Sequence, residues 1–72
     1  MNGEKLIRMA NQIGAFFEAM PDHAEAVDGV ANHLRRFWEK RMREDLQRHL
    51  AAHGDAALKP VVREAVARLR DG

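Results

Sequence analysis

Apolar residues recur along this chain at steps of three and four positions, the spacing that places side chains on one face of an α-helix. In the first segment they are Leu6, Met9, Ile13, Phe16 or Phe17, and Met20. Asn2 can cap this segment by accepting a hydrogen bond from a free amide of the first turn, and Pro21 disfavours helical geometry in the residue before it. The pattern therefore predicts a first helix from about Gly3 to Met20.

Two further apolar stripes follow Pro21. Asp22 has the spacing to cap a second helix, whose stripe is Val27, Val30, Ala31, Leu34, Phe37 and Trp38. Glu39-Lys40 interrupts the stripe, so we expect a break or bend near Trp38–Lys40, although the pattern alone leaves a continuous helix open. The third segment runs from about Lys40 to Ala52, and Gly54 suits a left-handed cap at its end.

The last stripe predicts a fourth helical segment over Leu58 to about Arg70. Pro60 fits its first helical position, where an amide has no partner within the helix, and Glu64 and Arg68 have the spacing of an i,i+4 ion pair. No segment alternates with period two. The predicted fold is all-α, a small bundle of three to four amphipathic helices with short loops, forming a single helical domain over residues 1–72.

Size and composition narrow the class of protein. A 72-residue domain buries only about 60% of its unfolded-chain surface and usually gains stability from disulfides, metals or partners. The chain has no cysteine, no apolar run of the roughly 20 residues that span a membrane and no secretory signal, so we expect a cytoplasmic protein. Twelve Lys and Arg against eleven Asp and Glu is a smaller surplus than dedicated nucleic-acid binders show.

Candidates for catalysis or metal binding are few. The chain lacks serine, threonine, cysteine and tyrosine, has no glycine-rich phosphate loop and is small for a substrate pocket, so we expect no independent enzymatic activity. His49 and His53, with Asp45 four residues before His49, could hold a divalent metal on one helix face. The third ligand of the familiar zinc motif is missing, and His53 near a helix end suits the helix dipole, so we predict no metal site.

The four aromatic residues form two adjacent pairs, Phe16-Phe17 and Phe37-Trp38. Neighbours on a helix point about 100° apart, so one ring of each pair can enter the core while the other lies at its edge or meets a partner. The basic run from Arg35 to Arg48 is interleaved with acids. It could be a solvated helix face, a protein interface rich in Arg, Trp, Phe and Met, or a surface that tracks phosphates while the rings stack on bases.

Two sequence blocks carry a resemblance to a known family. KLIRMANQIGAFF at Lys5–Phe17 and HLRRFWEKRMR at His33–Arg43 resemble the delta subunit of soluble, NAD-dependent, molybdenum- or tungsten-containing formate dehydrogenases. The stripe at Leu58–Leu69 also matches, as a generic amphipathic helix. The family usually reads Phe-Trp-Asp-Pro-Arg-Met, whereas Glu39-Lys40 replaces Asp-Pro here. Because Asp-Pro is a helix-start signal, its absence makes a continuous second and third helix more plausible.

The resemblance implies a non-catalytic accessory (delta) subunit that binds the large alpha subunit and helps to assemble or stabilise the active complex for formate oxidation or CO2 reduction. In this family the alpha subunit carries a molybdenum or tungsten pterin and iron–sulfur clusters, and the beta and gamma subunits pass electrons to FMN and NAD. This chain is expected to bind none of these cofactors, and its lack of cysteine agrees, since cysteines hold iron–sulfur clusters. The expected partners are those subunits, rather than nucleic acid or a membrane.

The residues expected to contact the large subunit come from the two blocks. They are Arg8, Asn11, Gln12, Phe16, His33, Arg36, Trp38, Arg41 and Met42. Arg and Trp are expected to be the energetic anchors. Two alternatives stay open: a small nucleic-acid-binding or regulatory module that uses Arg35–Arg48, and a maturation chaperone that leaves once the metal cofactor is inserted.

Overall fold

Four helices connected by short loops make up the computed structural model, which describes the backbone of residues 2–71 and the side chains of residues 2–70. The helices are α1 (Gly3–Phe17), α2 (His23–Phe37), α3 (Lys40–His53) and α4 (Pro60–Asp71). The predicted all-α fold is confirmed. The ends of the predicted domain, residues 1 and 72, lie outside the described residues. None of these helices is both long and apolar enough to cross a membrane.

Side-chain caps begin the first two helices as predicted. The Asn2 Oδ1 atom accepts from the amide of Glu4 at 2.8 Å, and Asp22 accepts from the amide of Ala24 at 2.8 Å. The first helix ends at Phe17 rather than at the predicted Met20. Glu18 caps the helix with its amide donating to the carbonyl of Gly14 at 2.8 Å, and the amide of Met20 then donates to the carbonyl of Phe17 at 3.0 Å in a turn that leads to Pro21.

The second and third helices are separate, so the expected break near Trp38–Lys40 is confirmed. Trp38 and Glu39 have extended backbone angles, and the side chain of Glu39 makes no capping hydrogen bond. Arg43 holds the corner instead. Its Nη1 atom lies 3.2 Å from the carbonyl oxygen of Leu34, 3.2 Å from that of Arg35 and 2.5 Å from that of Trp38. The arginine thus caps the carbonyl end of α2, where the last carbonyls of a helix lack helical partners, and it shares the Leu34 oxygen with the amide of Trp38, which donates to it at 3.2 Å.

The core lies where α2 packs against α4, with α1 across both. Its largest fully buried side chains are Leu6, Val30, Leu34 and Val62. Two glycines let the helices approach closely. A Cβ at Gly14 would collide with Val62 of α4, and one at Gly29 would collide with the ring of Phe17. The predicted stripe of α4 is buried as expected, apart from the half-buried Leu69, and Pro60 opens that helix as predicted.

Two ion pairs on the α4 surface join it to α2. The predicted pair between Glu64 and Arg68 is not formed. Glu64 instead pairs with His23, and Arg68 pairs with Asp28. The i,i+4 spacing would allow Glu64 and Arg68 to pair, but α2 lies close enough to offer each side chain another partner, which the sequence pattern does not show.

The last helix junction contains the backbone's one positive φ among the described residues. Gly54, the C-cap of α3, has a φ of 84°. Its ψ of 174° is extended rather than left-handed helical, so the predicted glycine cap is present in a different conformation. Only glycine adopts this region without steric cost.

Candidate protein-binding surface

A row of four aromatic rings crosses from α1 to α2 on one side of the bundle. The ring centroids of Phe16 and Phe17 lie 5.1 Å apart in an edge-to-face arrangement. Phe17 lies 6.4 Å from the His33 ring, and His33 lies 4.9 Å from the Phe37 ring. We call Phe16, Phe17, His33 and Phe37 the ring row. The first two contacts are edge-to-face, an arrangement that aromatic pairs prefer, and the third is tilted.

Both ends of the ring row face outward. Phe16 is 75% exposed and Phe37 is 71% exposed. Their sequence neighbours turn inward, since Phe17 packs against the core and Trp38 is 7% exposed. The expectation that each adjacent aromatic pair divides between core and surface is therefore confirmed, and a small domain leaves two phenylalanine rings in water.

An apolar groove of about 520 Å³ lies along the ring row. We call this the aromatic groove, and its lining residues are Met9, Gln12, Ile13, Phe16, Phe17, His33 and Trp38. Gln12 and His33 supply its polar side chains. Exposed apolar surface of this kind, bordered by polar groups, marks sites that bind other molecules.

Helical spacing places cations beside the aromatic groove on two sides. On α1, Lys5 and Arg8 precede Gln12 and Phe16 at helical spacing, so these exposed side chains share one helix face. On α2, Arg36 lies between His33 and Phe37 in the last turn. Within the described part of the chain, no carboxylate lies within 4.0 Å of Lys5, Arg8 or Arg36.

Asn11, predicted to contact a partner, makes its hydrogen bonds within the chain. Its Nδ2 atom donates to the carbonyl of Ala57 at 2.9 Å, and its Oδ1 atom accepts from the amide of Lys59 at 2.9 Å. Both groups belong to the loop before α4. Asn11 thus fastens α1 to that loop, and a contact from it to another protein stays a prediction.

Trp38 and Met42, also predicted at the partner contact, lie in or against the core. Trp38 closes one side of the aromatic groove, so only the rim of its ring is open to a partner. The structure brings Gln12, Phe16, His33 and Trp38 together at this groove. Arg41 is exposed in the first turn of α3.

Phe37 is the surface residue that the sequence reasoning missed. The adjacency of Phe37 and Trp38 predicted one outward ring, and the enrichment of tryptophan at interfaces favoured Trp38. The helix ends between the two residues, however, and the extended backbone at Trp38 turns its larger ring inward. The adjacent pair was a sound signal, but it did not tell which ring faces outward.

The paired histidines of α3 do not gather further ligands. The rings of His49 and His53 lie 4.6 Å apart, and His49 rests against Gly3. Among residues 2–70, no group of three or more His, Cys, Asp or Glu side chains is placed to hold a metal ion.

The basic run on α2 and α3 is partly engaged within the chain. Arg43 binds the carbonyls at the α2 terminus, Arg48 pairs with Asp45, and Arg35 donates to Asn32 at 3.2 Å. These arginines lie on a different side from the aromatic groove, since Arg35, Arg43 and Arg48 line a depression against α4. Arg36 does not line that depression; it follows the groove residue His33 by three positions, so helical spacing places it on the same face of α2.

The bundle and its exposed aromatic and basic residues define a small helical protein suited to binding another protein, because Phe and Arg are enriched at such interfaces. The chain belongs to the family of NADH-dependent formate dehydrogenase delta subunits, FdsD, whose family model matches residues 5–66. The matched range contains both sequence blocks on which the resemblance was based, so the resemblance to this family is confirmed. No curated protein and no solved structure shows significant similarity to the chain.

Proposed function

We propose that this chain is a non-catalytic accessory subunit of a multi-subunit NAD-dependent formate dehydrogenase, which binds the large alpha subunit and helps to assemble or stabilise the active complex. Family membership over residues 5–66 carries the proposal. The exposed ends of the ring row support it, since exposed aromatic surface on a small domain marks an interface. The pterin-bound metal, iron–sulfur clusters, FMN and NAD would belong to the alpha, beta and gamma subunits.

The contact surface proposed here is centred on the aromatic groove. Of the residues predicted from the sequence, the exposed ones are Arg8, Gln12, Phe16, Arg36 and Arg41, and His33 is half-buried. We add Phe37 to them, because its ring is 71% exposed and contacts His33 at the α2 end of the ring row. Phe16 and Phe37 take the anchoring role that Trp38 was expected to have, since anchors contribute by burying exposed aromatic area on binding.

The test is co-expression of the tagged chain with the alpha, beta and gamma subunits, followed by purification. The subunit ratio and formate-dependent NAD reduction are then measured. We expect the chain to stay in the active complex at a fixed ratio to alpha, and omission of the chain to lower the yield of active complex. The double variant Phe16→Ser/Phe37→Ser should leave the complex. Met20→Ser removes an exposed apolar side chain that does not line the aromatic groove, so it serves as the control.

Two other outcomes would contradict the proposal. An active complex that forms only when the chain is co-expressed, yet is purified without it, would identify a maturation factor. Recovery of the chain with nucleic acid and without dehydrogenase would identify a nucleic-acid-binding module. In that case its binding should weaken steeply with salt, because phosphate contacts release counterions.

A further inference from the structure

We infer that the occupant of the aromatic groove is an acidic amphipathic segment of the alpha subunit, with apolar side chains entering the groove and carboxylates beside them pairing with Arg8 and Arg36. This inference rests on the proposed function and gives the chemistry of the contact. It follows from three features of the surface, namely the lining of the groove, the charges at its borders and the absence of carboxylates paired with those charges among residues 2–70.

The lining of the groove fits aliphatic or aromatic side chains. Met9, Ile13 and the inward face of the ring row give it an apolar floor, and Gln12 and His33 are its polar lining residues. Methionine adapts its shape to different apolar neighbours. An amphipathic segment can lay its apolar face into such a groove while its polar face stays in water.

The borders of the groove are positive. Lys5 and Arg8 lie on the α1 face that continues into Gln12 and Phe16, and Arg36 adjoins the α2 end of the ring row. The nearest acids along the chain, Glu4 and Glu39, make no ion pair with these cations.

Ion pairs elsewhere show a contrasting arrangement. The cations of the described ion pairs are His23, Arg48, Lys59, Arg63 and Arg68, each with a carboxylate of this chain. We therefore expect the partner to supply the carboxylates that pair with Arg8 and Arg36, because charge complementarity steers association and excludes wrong partners.

The same charges argue against two other occupants. A second copy of this chain docked groove to groove would bring the arginine borders of both copies together, and like charges across an interface are costly. A nucleic acid would also satisfy the arginines, but the chain has twelve Lys and Arg against eleven Asp and Glu, a smaller surplus of positive charge than dedicated nucleic-acid binders show.

The experiment is zero-length cross-linking of the purified complex with a carbodiimide, which joins a lysine amine to a nearby carboxylate. Single Arg8→Lys and Arg36→Lys variants place an amine at each border of the groove. Arg35→Lys and Arg48→Lys are matched controls on the other basic surface. We expect the two groove variants to cross-link to aspartates or glutamates within one segment of the alpha subunit, and the controls to give no such product.

A second measurement tests directly whether the positive charges of Arg8 and Arg36 are needed for binding. The double variant Arg8→Glu/Arg36→Glu should reduce the fraction of chain retained in the complex about tenfold, whereas Arg35→Glu/Arg48→Glu should change it less than twofold. A complex that keeps its chain but gives cross-links only from the control positions would overturn the inference and leave the subunit role standing. Cross-links between two copies of the chain would identify self-association. Failure of any complex to form would overturn both proposals.

Discussion

Replacing Trp38 with alanine tests whether Trp38 is a core residue or an interface residue. The sequence analysis expected Trp38 to anchor the contact with the large subunit, and in that case Trp38→Ala would lose the complex while the chain stays helical. The structure predicts a different result, because Trp38 is only 7% exposed and packs in the core beside the α2–α3 corner. We expect the substitution to destabilise the chain itself.

The magnitude follows from burial. Truncation of a buried tryptophan to alanine costs about 3–5 kcal/mol. A domain of this length has a free energy of unfolding of roughly 4–11 kcal/mol at about 0.05–0.15 kcal/mol per residue, so the loss is a large share of the whole. Phe37→Ala provides the contrast. Only about a quarter of that ring is buried, and full burial of a phenylalanine contributes about 1.5–3 kcal/mol, so its truncation should cost about 0.5 kcal/mol.

Thermal unfolding of the full chain, followed by far-ultraviolet circular dichroism, measures both effects. A change of 1 kcal/mol shifts the melting temperature of such a domain by about 4–8 °C. We therefore expect Trp38→Ala to lower Tm by at least about 12 °C, and Phe37→Ala by less than about 4 °C. Trp38→Phe keeps an aromatic ring and should fall between them. A Trp38→Ala variant that melts within about 4 °C of the parent would refute the assignment of Trp38 to the core.

Three further substitutions test contacts inside the bundle. In chemical denaturation, Asn11→Ala should cost about 1–3 kcal/mol, because it removes two hydrogen bonds to the loop before α4 and each contributes about 0.5–1.5 kcal/mol. Asn32→Ala, at an exposed position, should cost less than about 0.5 kcal/mol in the same experiment. Gly14→Ala should destabilise by about 1 kcal/mol in that assay, since overpacking against Val62 costs about 1–3 kcal/mol and exceeds the gain in helix propensity of about 1 kcal/mol. Arg43→Met keeps an aliphatic stem but removes the hydrogen bonds to the end of α2. Hydrogen exchange of the amides at the α2–α3 corner should accelerate, and unchanged rates would show that Arg43 does not hold it.

Local signals in the sequence were sufficient to predict the helices. Asn2, Asp22 and Pro60 lie at helix starts as expected, because capping depends on groups within three or four residues along the chain. The apolar stripes predicted the buried faces for the same reason, since helical periodicity relates near neighbours. The end of α1 was placed three residues too late, because a proline limits how far a helix extends without fixing where it ends.

Contacts between distant residues were outside the reach of those signals. Asn11 was predicted to contact the large subunit, yet the backbone groups that its side chain hydrogen-bonds lie in the loop before α4. Glu64 and Arg68 had suitable spacing for one another, but each found a closer partner on α2. For the candidate surface, the sequence indicated an outward ring near the end of α2. Which ring it is depends on the tertiary position of the corner.

The corner between α2 and α3 also bears on how this sequence could be engineered. Glu39 already has a φ of −64° and a ψ of 150°, the extended geometry that a following proline imposes. Position 40 is the first residue of α3, where proline is tolerated, and an aspartate at position 39 could cap a helix that begins without a side-chain cap, for a gain of about 1 kcal/mol. The paired change Glu39→Asp/Lys40→Pro should therefore be accepted without moving either helix. The backbone at positions 39 and 40 thus already has the geometry that an Asp-Pro sequence requires, although the chain has Glu-Lys there.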